Sequence, residues 1–300
     1  MTENIIELQN LTKVYGGARG VKSLNLRVEP GTVFGFLGPN GAGKSTTINM
    51  LLDYIRPTSG SVKLFGLDAR RNSVEIRRRI GFLAGDMAMD RGLTGWQQLE
   101  YFGHLQDKFD KKYILELAKR LDCDLNRKFK DLSRGNKQKV GLIAALMNKP
   151  ELLIFDEPTS GLDPLIQAEF NKILVEHKQS GGTAFISSHV LSEVQEVCDT
   201  VTFIREGRII ATSPVYQIMK VAPKNLVLTT KSKELLKQLK RFAGLRVSEL
   251  SDDTVRGYFN GDINKLLRLV AGYTVDVFSL SEAELESIFM QYYKGKKDAK

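Results

Sequence analysis

The sequence has few cysteines, prolines and histidines and no long apolar run. Its 300 residues include 2 Cys, 8 Pro and 3 His. Two cysteines without a Cys-x-x-Cys pair are typical of reduced thiols in a cytosolic protein and exclude a disulfide scaffold. The scarcity of proline excludes a proline-rich disordered chain. No apolar run reaches the ~20 residues that a membrane-spanning helix requires, and the amino terminus lacks a secretory pattern. We therefore expect neither a membrane span nor a signal peptide.

The rest of the composition is typical of a globular protein, with a bias in charge. Hydrophobic residues make up 42% of the chain and charged residues 26%, and this length corresponds to one large domain or two smaller ones. There are 44 Lys and Arg against 35 Asp and Glu, a formal net charge of +9. The excess favours an anionic partner, and composition leaves nucleic acid, a phosphate-bearing ligand and a lipid surface as alternatives.

The first two thirds of the chain alternate short apolar runs with helical patterns. Continuous apolar runs are typical of strands buried on both faces of a parallel sheet. Four such strands are predicted, at 32–37, 152–155, 183–187 and 201–204, and an earlier strand is predicted at 4–9. Residues 85–150 have a mostly helical pattern, in which Thr94 and Gln97 form a capping box. This part is therefore predicted to be an α/β domain with a mainly parallel sheet and a helical subdomain.

The pattern changes after about residue 220. Six segments follow in the order strand, helix, strand, strand, helix, strand, at 225–230, 232–243, 245–250, 254–260, 263–271 and 273–279. This order is that of a small ferredoxin-like α+β module. A further helix is predicted from Ser281 to about Tyr293. We therefore divide the chain into residues 1–220, the module with its terminal helix at 221–293, and a basic tail at 294–300.

A glycine-rich segment follows the predicted strand at 32–37 and opens a helix. It fits the phosphate-loop pattern G-x-x-x-x-G-K-[ST] with Gly38-Pro39-Asn40-Gly41-Ala42-Gly43-Lys44-Ser45. Glycine lets backbone N–H groups surround phosphate oxygens, and the helix start adds a partial positive charge. We expect Lys44 to reach the β- and γ-phosphates and Ser45 to bind Mg²⁺. The nucleotide-binding residues predicted here are Gly38, Asn40, Gly41, Gly43, Lys44, Ser45 and Thr46.

An acidic pair, Asp156 and Glu157, follows the predicted strand at 152–155. A strand end places the pair at the carboxyl edge of the sheet, where α/β proteins bind ligands. Asp156 is expected to hold Mg²⁺, and Glu157 to polarise the attacking water as a general base. An exposed acidic pair at a loop start is as common, so this interpretation depends on the phosphate loop in the same sheet.

Three further motifs flank the acidic pair in the sequence. They are Leu132-Ser133-Arg134-Gly135-Asn136 before its strand, Ser160-Gly161-Leu162-Asp163 after it, and Ser187-Ser188-His189 at the end of the next apolar strand. With the phosphate loop and the acidic pair, this order over about residues 4–215 resembles the nucleotide-binding subunits of ABC transporters. The resemblance identifies the three motifs as signature loop, D-loop and switch histidine, and it implies an ATPase that uses ATP and Mg²⁺.

The resemblance implies roles that the single residues would not indicate. In the family, two subunits sandwich two ATP molecules, and Ser133 and Gly135 match positions that contact the γ-phosphate held by the opposite subunit. Asp163 belongs to the D-loop, His189 supports hydrolysis, and Tyr15 matches the aromatic that stacks on adenine. Ser133 and Asp163 also fit ordinary helix N-caps. His189 and Tyr15 also fit a surface histidine and a packing aromatic.

The chain departs from the family pattern in two places. The family signature is LSGGQ, whereas Arg134 and Asn136 occupy two of its positions here. The family also has Gln or Glu in the loop after the strand that ends Ile80-Gly81-Phe82-Leu83, and the matching position is Gly85, followed by Asp86. Glycine has no side chain to bind Mg²⁺, so either Asp86 or water takes that place.

The resemblance is greatest to the ATPase subunits of bacterial ABC-2-type exporters, the group with bacitracin-resistance and sodium-extrusion systems. Its features are the signature variant, Leu93-Thr94-Gly95, and the ending Leu285-Glu286-Ser287-Ile288-Phe289. It implies a homodimer, or a heterodimer with a paralogue, that powers a separately encoded permease from the cytoplasmic, inner face of the cell membrane. The positive charge then fits an anionic membrane surface and no longer argues for a specific nucleic acid.

Two alternatives stay open within the P-loop proteins. The first is a soluble ABC ATPase that acts in cofactor assembly, DNA repair or translation, although the sequence has neither a long coiled coil nor a second phosphate loop. The second is an unrelated P-loop kinase or GTPase. Asn148-Lys149-Pro150-Glu151 matches the guanine-reading Asn-Lys-x-Asp pattern only superficially and precedes the acidic strand.

Overall fold

The alternating pattern of the sequence produces alternating strands and helices up to Pro214. The structure, a computed structural model, describes residues 3–16, 20–85, 87–105, 109–221 and 223–281. The strands of this part are β1 (Ile6–Val14), β2 (Gly20–Val28), β3 (Val33–Leu37), β4 (Ser59–Leu64), β5 (Leu67–Asp68), β6 (Ile80–Leu83), β7 (Leu152–Asp156), β8 (Thr183–Ser188), β9 (Thr200–Arg205) and β10 (Arg208–Pro214). Its helices are α1 (Lys44–Leu51), α2 (Ser73–Arg78), α3 (Gly95–Leu105), α4 (Lys111–Arg120), α5 (Arg134–Leu146), α6 (Pro164–Gln179) and α7 (Leu191–Val197).

A six-stranded sheet of the order β10-β9-β3-β8-β7-β6 lies at the centre of this part. The pairs β9–β3, β3–β8, β8–β7 and β7–β6 are parallel. Every residue of β3, β7 and β8 is buried, as expected for strands that are covered on both faces. The predicted α/β class with a mainly parallel sheet is confirmed.

A second, antiparallel sheet has the order β2-β1-β4-β5. The predicted strand at 4–9 overlaps the start of β1, whereas the other strands of this sheet were not predicted. Its strands are irregular: the register of β1 shifts near Asn10, where φ is 49°, and Ser23 of β2 has the same φ. Such bulges interrupt the strict alternation of apolar and polar residues by which half-buried strands are recognised. The pattern therefore predicts only the start of β1 and not the strands that pair with it.

The helix starts match the predicted capping residues. The Thr94 N–H donates to Gln97 Oε1 at 2.9 Å, and the Gln97 N–H donates to Thr94 Oγ1 at 3.2 Å. Asp163 Oδ1 accepts two backbone N–H groups at the start of α6, the longer at 3.1 Å. These bonds satisfy donors that have no partner within the helix. No helix in the described part of the chain is long and apolar enough to cross a membrane.

The contacts within the chain separate Met1–Ser213 from Pro214–Lys300, a few residues before the predicted boundary at 220. The second unit contains α8 (Val215–Val221), β11 (Lys224–Thr229), α9 (Lys233–Lys240), β12 (Leu245–Leu250), β13 (Thr254–Phe259), α10 (Ile263–Val270) and β14 (Val277–Ser281). Its sheet has the order β12-β13-β11-β14 with antiparallel pairs. From β11 onward the elements follow the predicted order, and the ferredoxin-like assignment of the module stays a prediction.

The end of the second unit differs from the sequence prediction. The last strand begins at Val277 rather than at 273, because the Tyr273 N–H donates to Val270 O in a turn after α10. Ser281, predicted to begin the terminal helix, pairs with Asn225 as the last residue of β14. The rest of the predicted terminal helix and the basic tail lie outside the described residues.

Both cysteines are free thiols, as predicted. Burial raises the pKa of the Cys123 thiol to about 12 and also raises the pKa of Cys198. Both thiols therefore stay protonated at pH 7, which makes them poor nucleophiles and poor metal ligands.

Candidate active site

The carboxyl ends of three neighbouring strands bring the predicted site residues together. Leu37 ends β3 opposite Ser188 of β8, and Asp156 ends β7 opposite Ser187. Because the three strands are adjacent and parallel, the segments that follow them begin at one edge of the sheet. These segments are the phosphate loop, the acidic pair and the loop that contains His189.

The phosphate loop requires glycine for two reasons: a left-handed backbone at some positions and a steric clash with any side chain at others. Gly41 has φ of 80° and Gly43 has φ of 110°, both in the left-handed region. A Cβ at Gly43 would lie 2.6 Å from Val21 Cγ1, and one at Gly38 would lie 2.2 Å from Ile204 O. Gly43 occupies the N-cap position of α1 and has no side chain to accept from the first helical N–H groups. These groups therefore remain available to an anion.

Lys44 directs its ammonium into the loop. Only 5% of the residue is exposed, and its Nζ donates to Gly38 O at 2.8 Å. The same Nζ lies 3.4 Å from Glu157 Oε1. Ser45, the next residue of α1, is exposed and Thr46 is half-buried. The loop thus combines a positive charge with an accessible hydroxyl at the helix start.

Asp156 is a buried carboxylate at the end of β7, only 8% exposed. The Ser187 hydroxyl donates to its Oδ1, and a Cβ at Gly85 would lie 3.5 Å from its Oδ2. Position 85 is therefore beside this carboxylate, where the family resemblance placed a side chain that binds Mg²⁺. Asp86 lies outside the described residues. Among those that are described, no group of three His, Cys, Asp or Glu is arranged around a metal position.

Glu157 lies between a lysine and a histidine. Its Oε1 is 3.1 Å from His189 Nδ1, and the two side chains are 28% and 45% exposed. The Glu157 backbone is left-handed, with φ of 52°, and its N–H donates to Ser187 O at 3.1 Å. Water can reach this carboxylate, and a neighbouring imidazole can exchange protons with it, which is the chemistry required of a general base.

The signature loop and the D-loop contact each other within the chain. Ser133 Oγ accepts from the Asn136 N–H at 3.3 Å, which makes Ser133 the N-cap of α5. A Cβ at Gly135 would lie 2.5 Å from Gly161 O, so glycine alone fits there. Ser133 is exposed, and in this chain it is a helix cap. Its predicted contact with a nucleotide on another subunit stays a prediction.

Tyr15 follows the last residue of β1 and is 42% exposed. Lys13 Nζ lies 5.4 Å from its ring centroid. So large an exposed fraction is unusual for an aromatic whose role is packing in the core. The ring is accessible from solvent, and its adenine contact stays a prediction.

Three polar residues of this region were given no role by the sequence. Gln138 is buried and its Nε2 donates to Pro158 O at 3.0 Å. Glu193 accepts from Thr159 Oγ1 at 2.6 Å and from Ser188 Oγ at 3.0 Å. The third is Ser187, which bonds Asp156. Gln138 and Lys139 are the two polar residues among the buried positions of α5, and a polar residue at such a position is the only signal that would have indicated Gln138.

Comparison with known proteins identifies the family. Residues 21–160 match the family model described as ABC transporter. The chain is 36% identical over 302 residues to the bacitracin transport ATP-binding protein BcrA of Bacillus licheniformis, which covers 97% of this chain and 98% of that protein. It is 31% identical over 300 residues to the daunorubicin/doxorubicin resistance ATP-binding protein DrrA of Streptomyces peucetius, over 95% and 91% of the two chains.

A solved structure shows a similar fold. The dimeric structure of MJ0796, a bacterial ABC transporter cassette, has a TM-score of 0.63 and 25% identity, over 70% of this chain and 98% of the other. These two relatives match along nearly the whole chain, which includes its second unit. The chain therefore belongs to the ATP-binding proteins of the ABC transporter family and is an ATPase.

Proposed function

We propose that two copies of this chain bind two ATP molecules and power a separately encoded permease that exports its substrate. One observation carries the ATPase part: Oε1 of Glu157 lies 3.4 Å from Lys44 Nζ and 3.1 Å from His189 Nδ1. A phosphate-binding cation and a candidate general base thus meet at one point of the sheet edge. The relatives named for bacitracin transport and for daunorubicin/doxorubicin resistance support export.

The phosphates of ATP would lie against the loop at 38–43 and the start of α1. Backbone N–H groups and Lys44 would supply charge-assisted hydrogen bonds of about 1.5–3 kcal/mol each. The exposed ring of Tyr15 would stack on the adenine. The signature loop of the second copy, with Ser133 and Gly135, would close over the γ-phosphate. The dimeric structure of the MJ0796 cassette supports the pairing of two copies.

The Ser45 hydroxyl and the Asp156 carboxylate would hold the Mg²⁺ that accompanies ATP. Both are oxygen ligands, which Mg²⁺ prefers, and Mg²⁺ is usually bound by one or two protein groups together with phosphates and water. When bound, Mg²⁺ would neutralise charge on the β- and γ-phosphates. Glu157 would accept the proton of the attacking water, while His189 and Lys44 hold its carboxylate in place.

Replacing Gly85 by glutamine is expected to lower the Mg²⁺ concentration for half-maximal hydrolysis by about tenfold. The backbone accepts a side chain there, since a Cβ would stand 3.5 Å from Asp156 Oδ2, an ordinary contact distance. The added amide oxygen would be one more ligand beside the carboxylate. A Mg²⁺ titration of ATPase activity at fixed ATP measures the shift.

Gly272→Gln is the matched control, because it adds the same side chain in the second unit, where a Cβ would also make only an ordinary contact, 3.6 Å from Leu269 O. The control should leave the Mg²⁺ midpoint unchanged. An unchanged midpoint in folded Gly85→Gln would contradict a metal position beside Asp156.

We infer that the permease binds in a groove at the helical subdomain. We also infer that the chain works at the cytoplasmic face of the membrane, as the exporter resemblance implies. The groove has a volume of about 430 Å³, and its apolar lining includes Met87, Met89, Phe102 and Leu105. Arg78 lines the same groove and adds a positive charge. The occupant that fits is a helix of the permease that has an apolar face and an acidic side chain.

Replacing Leu105 by aspartate is expected to reduce permease binding at least tenfold, because it places a carboxylate in the apolar groove next to the binding helix. Leu105 is 65% exposed at the end of α3, so the fold should tolerate the change. The matched control is Tyr101→Asp, which alters a residue 56% exposed on the same helix that does not line the groove. Co-purification with the permease from detergent extracts measures binding, while ATPase activity of the isolated chain reports folding. Equal permease binding by both variants would contradict the docking site.

A further inference from the structure

Arg134 joins the signature loop to the D-loop of its own chain. It is the first residue of α5 and is exposed, and its Nη2 donates to Ser160 Oγ at 2.9 Å. Arg134 occupies a position where the family signature has glycine, so this bond is a feature of this chain's own sequence. The backbones of the two loops also touch, since a Cβ at Gly135 would lie 2.5 Å from Gly161 O.

The same helix holds the backbone that follows the acidic pair. Gln138, one turn after Arg134, donates from Nε2 to Glu157 O at 3.3 Å and to Pro158 O at 3.0 Å. The Ser160 N–H donates to the same Glu157 O at 3.3 Å. Two side chains of α5 therefore bond the two ends of the segment 157–160: Gln138 bonds its start and Arg134 bonds Ser160 at its end.

This segment determines where the Glu157 carboxylate points. Glu157 has a left-handed backbone with φ of 52°, a conformation that costs free energy for a residue with a side chain and persists only when its surroundings enforce it. Its N–H is fixed by Ser187 O and its carbonyl by Gln138 and Ser160. A shift of Ser160 would therefore change the direction of the carboxylate through the shared carbonyl.

We propose that Arg134 is a positioning residue for hydrolysis: through Ser160 it aligns Glu157 with the nucleotide bound by its own subunit. This inference rests on the proposed function, in which the signature loop faces the nucleotide of the other copy. Movement of the signature loop when the two copies close is then passed to Glu157 by a hydrogen bond. Hydrolysis of the ATP bound by one copy then depends on whether that copy's signature loop has closed over the ATP bound by the other copy.

A double-mutant cycle tests the proposal. Arg134→Met keeps the aliphatic stem and removes the donors, and Ser160→Ala removes the acceptor. We expect each to lower kcat by about threefold to tenfold, which corresponds to one hydrogen bond, with KM for ATP changed by less than twofold. The double variant should be no slower than either single variant, because both changes break one bond. Arg134→Lys should recover most of kcat, since a single N–H to a hydroxyl needs no planar fork.

Two controls separate this role from other effects. Arg127→Met removes an exposed arginine whose Nη2 bonds Asp131 O in the helical subdomain, and it should leave kcat unchanged. If the losses in kcat from Arg134→Met and Ser160→Ala multiply in the double variant, the two residues act independently, and the proposed coupling between them is overturned. An Arg134→Met variant that weakens ATP-driven dimerisation while Ser160→Ala does not would also overturn it, because Arg134 would then contact the partner's nucleotide directly.

Glu157→Gln distinguishes failure of this inference from failure of the proposed function. If that variant hydrolyses ATP normally, Glu157 is not the general base. Arg134 then has no catalytic group to position, and the proposed function fails with the inference. If Glu157→Gln is inactive while the Arg134 and Ser160 effects multiply, the function stands and only the positioning role is overturned.

Discussion

Replacing Lys44 by alanine is expected to weaken ATP binding by about 100-fold or more. The ammonium is buried and lies inside the phosphate loop, where its Nζ donates to Gly38 O at 2.8 Å. Lys44 would make two charge-assisted hydrogen bonds to phosphate oxygens, each of about 1.5–3 kcal/mol. Their loss corresponds to a 100-fold or larger decrease in affinity, since about 1.4 kcal/mol is tenfold. The loop glycines are unchanged, so the site keeps its backbone shape and loses its cation.

Titration calorimetry with ATP measures the Lys44→Ala effect. Lys63→Ala is the matched control, because Lys63 is exposed on β4 and its loss changes the net charge equally. If net charge rather than the loop attracted ATP, both variants would lose the same affinity. Unchanged affinity in Lys44→Ala would contradict the phosphate-loop assignment.

Replacing Glu157 by glutamine is expected to lower kcat by about 10²- to 10⁴-fold while ATP binding is retained. The amide is nearly the same size and cannot accept the proton of the attacking water. ATP should then accumulate in long-lived dimers, because hydrolysis is the step that would separate the two copies. Single-turnover hydrolysis and light scattering with ATP measure the two effects.

Glu151→Gln is the control for the loss of a carboxylate near β7. Glu151 bonds Arg79 at 2.7 and 2.8 Å and takes no part in the site, so its replacement should leave kcat nearly unchanged. Ordinary steady-state hydrolysis by Glu157→Gln would exclude Glu157 as the general base.

Short-range patterns predicted the elements that position the site. A buried strand followed by glycines and a lysine gave β3, the phosphate loop and α1, and an apolar run that ends in Asp156 gave β7. The capping pair Thr94 and Gln97 also formed as predicted. Each of these features depends on residues that are neighbours in the sequence, so local propensity is enough to find it.

The contacts that connect these elements lie beyond sequence patterns. Arg134 and Ser160 are 26 positions apart, and nothing in either residue type indicates the other. Gln138 similarly holds carbonyls about 20 residues away. The antiparallel sheet was predicted only at the start of β1, because left-handed residues such as Asn10 disturb the alternation that marks a strand. The long-range pairs are set by helix packing, which one sequence does not display.

The central claim is that each ATP lies between the phosphate loop of one copy and the signature loop of the other. Subunit complementation tests it with Lys44→Ala, which disables the phosphate loop, and Ser133→Asp, which keeps an N-cap acceptor but repels a γ-phosphate. Both variants also carry Glu157→Gln, so that bound ATP persists. In a mixture, the Ser133→Asp copy still offers its phosphate loop, and the Lys44→Ala copy still offers its signature loop.

The measurement is ATP-dependent association, followed by energy transfer between copies labelled with different fluorophores. Neither variant should associate with itself when ATP is added. The mixture should associate, because each mixed pair contains one intact site shared between the copies. A mixture that stays monomeric with ATP, under conditions in which Glu157→Gln alone dimerises, would contradict the shared site.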